Sequence, residues 1–142
     1  DDTAAIAAIP FIELLMDRVL ALDENYEHAM PHLFLGAFYS ASPSQPEREK
    51  ARSHFEKALE PTKQEMYLVP VTFARTYATA AKDKKLFESL LEEVVSKWEN
   101  RAQHPFDPQL TLSNAMAYQQ AQTLLGKSYD FFPTFDTTEA TR

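Results

Sequence analysis

The 142-residue chain has no cysteine, so disulfides and thiol chemistry do not enter, and the redox compartment is left unread. Glycine occurs only twice, while Ala, Leu, Glu and Lys are plentiful, which favours helices over strands. No apolar run approaches the roughly 18 residues a membrane-spanning helix needs. A basic excess is also missing. The net charge is −7 and Lys and Arg are scattered among acids, which argues against a nucleic-acid surface. There is no Gly-rich phosphate loop, no G-x-S-x-G elbow and no Glu-x-x-His pair. Ser, His and Asp occur at no spacing that selects a triad, so neither an enzyme nor a cofactor is expected. The first residue is Asp1 rather than Met, so the chain is expected to be a processed or trimmed piece. Any targeting segment would precede it.

Hydrophobic residues make up 44% of the chain, enough for one domain with a real core. Residues 1–9 are a small-residue lead-in, and Ile9-Pro10 opens a first helix. There Ile12, Leu15, Met16, Val19 and Leu20 recur at helical spacing. Asn25 is a candidate cap for a second helix over about 26–41, with Pro31 bending it or trimming its first turn. Ser44-x-x-Glu47 reads as a capping box for a third, 46–60. Thr62-x-x-Glu65 is a second box, opening a long helix to about Ala81 with a kink at Pro70. Asp83 caps a fifth, whose stripe is Leu86, Phe87, Leu90, Leu91, Val94, Val95 and Trp98. Asp107-Pro108 starts a sixth, ending near Leu125 with Gly126 at C′. A tail, 127–142, carries Phe131, Phe132 and Phe135 without a strong pattern.

A glycine inside a helix costs about 1 kcal/mol relative to alanine, so Gly36 needs a reason. In Leu35-Gly36-Ala37-Phe38-Tyr39 a missing Cβ would let a second helix approach. Ala51, Phe55 and Ala58 supply the facing surface. Phe73-Ala74-x-x-Tyr77 followed by Phe87, Leu91 and Val94 repeats the arrangement loosely. Val19, Ala58 and Val94 are equivalent inward positions, close to the tetratricopeptide-repeat (TPR) period of about 34 residues. The expected fold is therefore all-α: a TPR-like stack of about six helices in hairpins, with the domain over 10–126.

The second and fourth helices are apolar nearly all round, whereas their neighbours carry one stripe. Positions not needed for hairpin packing are Met30, Leu33, Ala37, Leu68, Val71 and Arg75. These are expected to line an apolar groove or channel for a hydrophobic ligand or an apolar partner segment. Further helices or a subunit interface covering the same surface is the alternative. Arg75, an isolated cation, either meets an acidic head group or snorkels to water. Asn114 either hydrogen-bonds a neighbouring loop or faces the channel. His28 and His32, four apart beside Glu27, could share a helix face as two metal ligands, but no third ligand is evident and no metal is expected.

Several runs together resemble the TatT family, the T component of tripartite ATP-independent periplasmic (TRAP) transporters. These are Ile12–Asp23 through Tyr26, then His32-Leu33-Phe34-Leu35; Glu49–Leu59; Phe87–Val94; and Leu112-Ser113-Asn114-Ala115-Met116-Ala117. The resemblance covers about residues 9–125, in order. It implies a periplasmic, helical TPR-like protein that associates with the solute-binding component of the transporter. It also implies apolar pores through the body and self-association, as in a trimer. Members carry further helices before the part matching residue 9, so a fragment is expected, with any lipid anchor in a preceding segment. The loop Ser42–Pro46 lacks the glycines of the family pattern. The competing class is a general TPR-like scaffold with a concave peptide groove. Such grooves present several Lys, Arg or Asn side chains, and the apolar inner positions here favour the transporter reading.

Overall fold

The computed structural model describes residues 2–60 and 65–133. Among these there are helices and no strand. The order is α1 (Asp2–Leu22), α2 (Tyr26–Ser40), α3 (Gln45–Ala58), α4 (Leu68–Phe73), a π-helical segment (Ala74–Ala78), α5 (Lys84–Glu99), a 3-10 turn (Pro108–Leu110), α6 (Thr111–Gly126) and the one-turn α7 (Ser128–Phe131). The helices stack as hairpins. α2 pairs most extensively with α3, α5 pairs with α6, and α4 with its π-helical continuation lies between the two pairs.

Local chemistry sets several boundaries where the sequence places them. Ser44 Oγ accepts from the Glu47 N–H at 3.4 Å, and Pro46 sits in the first turn of α3. Glu47 does not reach back to the Ser44 N–H as a full capping box would. Its carboxylate instead takes the hydroxyls of Ser44, at 2.7 Å, and Ser42. Asp83 accepts from Leu86 N–H at 2.9 Å and starts α5. Asp107 accepts from Gln109 N–H at 2.9 Å, opening the 3-10 turn that runs into α6.

Other boundaries differ. α1 begins at Asp2, so the expected lead-in belongs to the helix and Pro10 lies inside it. Thr62 of the second box lies outside the described residues, and Glu65 instead accepts from Asp107 N–H at 3.1 Å. Pro70 falls in the first turn of α4, where a missing N–H costs nothing. The helix is deformed four residues later, where the π-helical segment widens one turn. Gly126 ends α6 without the positive φ of a C′ glycine. The tail begins with α7, whose Phe131 and the following Phe132 pack on Phe87 at ring distances of 5.7 and 5.2 Å. Phe135 lies outside the described residues.

The reason for Gly36 is direct. A Cβ placed there would stand 2.9 Å from the Phe55 ring, itself fully buried. Phe55 then stacks on Phe73 at 4.5 Å, and this ring pair joins the first hairpin to α4. Around it lie Ala58, Val69, Val71, Ala74, Phe87, Leu91 and Val94, all buried. A smaller cluster of Leu35, Tyr39 and Ala51 holds α1 through Met16 and Leu20.

Candidate functional site

The two all-round apolar helices are central in the stack. In α4 and its continuation, Val69 through Ala74 are buried, and Arg75 is exposed. In α2, Leu33, Leu35 and Gly36 are buried, whereas Met30 and Phe34 are 38% and 40% exposed. Of the expected channel positions, Leu33, Val71 and Asn114 are thus enclosed by the chain itself. Ala37 and Leu68 are half-buried, and Met30 and Arg75 reach the surface. The most exposed apolar face lies where the sequence pointed to a simple one-stripe helix. On α1, Phe11, Leu14 and Leu22 are 61%, 65% and 71% exposed.

Asn114 acts on a loop. Its Oδ1 accepts from Tyr67 N–H at 3.0 Å, and its Nδ2 donates to the Glu65 carbonyl at 2.8 Å. A fully buried amide thereby satisfies two backbone groups ahead of α4. Arg75 leaves the π-helical segment beside a cavity of about 350 Å³, with Met116, Gln119, Gln120, Thr123 and Leu124 of α6 as its other walls.

His28 and His32 do not share a face. Glu27, His28 and Ala29 have φ of 45, 56 and 62°, a left-handed turn ahead of the right-handed part of α2. That conformation costs non-glycine residues roughly 1–2 kcal/mol each. The turn places Pro31 where its ring does no harm and sends the buried His32 ring toward α3. There its Nδ1 lies 2.8 Å from Nδ1 of His54, so a single proton bridges the two rings. Its Nε2 is 3.4 Å from the Glu24 carboxylate. Burial, aided by His32 and Lys57, pushes His54 down to about 4 from its ordinary value near 6.5. Next to it, Tyr39 donates its hydroxyl to Glu13, and burial together with that carboxylate holds the phenol well above its usual range. Sequence reading gave His54 no role. Its ring partners, His32 and Tyr39, lie 22 and 15 residues earlier on α2, so no helical spacing betrays them. Among the described residues, no group of three or more His, Cys, Asp or Glu is placed to hold a metal ion.

None of this assembles a nucleophile, base and oxyanion site. The polar groups close helix–helix contacts, and the described surface offers a partner apolar side chains and the cavity beside Arg75. No helix among the described residues is long and apolar enough to cross a membrane. No curated protein matches the chain. Residues 1–132 match the family model described as TRAP transporter T-component, TAtT. That match spans every described helix, and the chain therefore belongs to the T-component family of TRAP transporters.

Proposed function

We propose that the protein works on the periplasmic side of a TRAP-type transporter as a non-enzymatic partner of the solute-binding component, and that it offers a hydrophobic ligand an apolar channel. Membership of the T-component family supports association with the transporter. The observation that supports docking is the outer face of α1. Phe11, Leu14, Leu15 and Leu22 fall at i, i+3, i+4 and i+11, on one side of the helix, and all are exposed. Burying a side chain of this size is worth about 1.5–3 kcal/mol, so a partner covering four of them gains substantially. In the channel reading Met30, Ala37, Leu68 and Arg75 meet the ligand, while Leu33, Val71 and Asn114 form the wall behind them.

Co-purification with the solute-binding component of a TRAP transporter from the same source tests the reading. The double variant Phe11→Asp, Leu14→Asp should weaken that association at least tenfold and leave the melting temperature unchanged, because both side chains are already exposed. Undiminished association would move the interface off α1. If the substitutions instead convert a trimer to monomers in sedimentation, the face serves self-association rather than the transporter partner.

A further inference from the structure

We propose that the cavity between the π-helical segment and α6 is a binding site for a monoanionic amphiphile, an oxyanion head on a short apolar tail, with Arg75 as its anchor. This deepens the ligand half of the reading above and rests on it.

Three observations converge on the site. First, the Arg75 guanidinium has no ion pair or hydrogen-bond partner among the described residues. The side chains of three other arginines are engaged: Arg48 reaches the Pro43 carbonyl, Arg52 pairs with Glu56 at 2.7 Å, and Arg101 caps Trp98. In a chain of net charge −7, a cation left unneutralised beside a cavity is available to an incoming anion. Second, the helix is distorted at this point. The π-helical turn spans Ala74–Ala78 and contains Arg75. Thr76 Oγ1 donates to the Thr72 carbonyl at 2.7 Å and Thr79 Oγ1 donates to the Arg75 carbonyl at 2.6 Å, so hydroxyls occupy carbonyls around the widened turn. Such single-turn insertions are rare and are found frequently at functional positions. Third, the remaining walls are of two kinds. Gln119 and Gln120 carry amide donors, Thr123 spends its hydroxyl proton on the Gln119 carbonyl at 2.9 Å, and Met116 and Leu124 are apolar. Met116 is 54% exposed.

The chemistry of these groups selects the ligand class. A guanidinium presents paired N–H donors that match the two oxygens of a carboxylate or the face of a phosphate ester. One cation in an acidic protein suits a single negative charge better than two. The two amides can serve the outer lone pairs of the head, and Met116 and Leu124 would lie along a tail. At about 350 Å³ the cavity stands at the small end of ligand sites, so the tail is short.

Titration calorimetry with octanoate, octanol, octyl phosphate and inorganic phosphate tests this on the whole chain. Octanoate should bind, octyl phosphate, which is close to dianionic at neutral pH, should bind no better than octanoate, and octanol and inorganic phosphate should be at least tenfold weaker than octanoate. Arg75→Gln should weaken the anionic amphiphile at least tenfold at an unchanged melting temperature. Met116→Glu, which sets a carboxylate beside the guanidinium, should do the same. Which of the two amphiphiles binds more tightly distinguishes a carboxylate from a phosphate-ester head. Octanol binding as tightly as octanoate, with no effect of either substitution, overturns the Arg75 site and leaves the apolar channel standing. Inorganic phosphate competing as well as the amphiphiles overturns the role of the tail. Failure of every amphiphile to bind overturns the ligand reading as a whole.

Discussion

The α2–α3 hairpin and the α4–α5 hairpin are built on one pattern and finished with different chemistry. Each carries a small buried residue, Gly36 or Ala74, with a tyrosine three positions on, Tyr39 or Tyr77; Tyr39 stacks on His54 of the next helix, whereas Tyr77 packs back against the Leu35, Tyr39 and Ala51 cluster of the first hairpin. In the first the remaining space is closed by polar groups. His32 meets His54, Tyr39 meets Glu13, and Ser40 Oγ donates to the Gly36 carbonyl at 2.7 Å. The second region is finished with rings, within the α4 stretch and from α5 to α6 and α7. Phe73 packs on Tyr77 at 5.3 Å, Phe87 on Phe131 and Phe132, and Trp98 on Tyr118 at 5.7 Å. A repeat pattern thus decides which helices pair. The residues between its fixed positions decide whether a pair answers to pH.

The largest break in this comparison should come from the ring that serves both hairpins. Phe55→Ala removes a fully buried side chain from the joint with Phe73 and should cost about 3–5 kcal/mol, read as the shift in denaturant midpoint. A cost below about 1 kcal/mol would mean that the two hairpins do not depend on that contact. Next comes the difference between the two small residues. Gly36→Ala is a helix-favouring change, yet its new Cβ meets a Phe55 ring held on its far side by Phe73. The expected result is a loss of about 1–3 kcal/mol. A stabilised Gly36→Ala variant would show that the helices do not approach as closely as described.

The smallest effect is specific to the first hairpin. The His54 pKa is depressed on folding, so below pH 6.5 the unfolded chain takes up a proton that the folded chain refuses. Stability should therefore fall as the pH drops from about 6.5 to about 4 and level off below. With solvent screening of the half-buried ring the loss is on the order of 1–2 kcal/mol. Chemical denaturation at pH 7.5 and pH 4.5, compared between the parent and His54→Gln, measures it. A pH dependence that survives the substitution unchanged would place its cause outside His54.

Much of this architecture could be read in advance because its causes are local. Ser44, Asp83 and Asp107 cap where they stand, since a short polar side chain two or three residues ahead of a free N–H suffices. The close approach at Gly36 was legible because a glycine at mid-helix has few other uses. What escaped has non-local causes. The left-handed turn at Glu27–Ala29 has no glycine to announce it, and the π-helical turn carries no composition signal. The His32–His54 pair joins two helices, and the packing of Phe131 and Phe132 depends on Phe87 lying more than 40 residues earlier. The candidate site shows the same division. Arg75 stood out as an isolated cation, but its cavity exists only because α6 passes beside it. Asn114 was recognised as one of two alternatives, and the loop clamp became evident only with Tyr67 and Glu65 beside it.

By itself, then, the sequence determined the helical class, the pairing of neighbouring helices and the succession of segments that marks the family. These follow from periodicity, caps and small residues, whose energetics act within a few turns. The tertiary structure decided which apolar positions are core and which are surface. Leu33 and Val71 went inward and the face of α1 outward, because burial depends on every helix that arrives at a position and not on the stripe from which it starts.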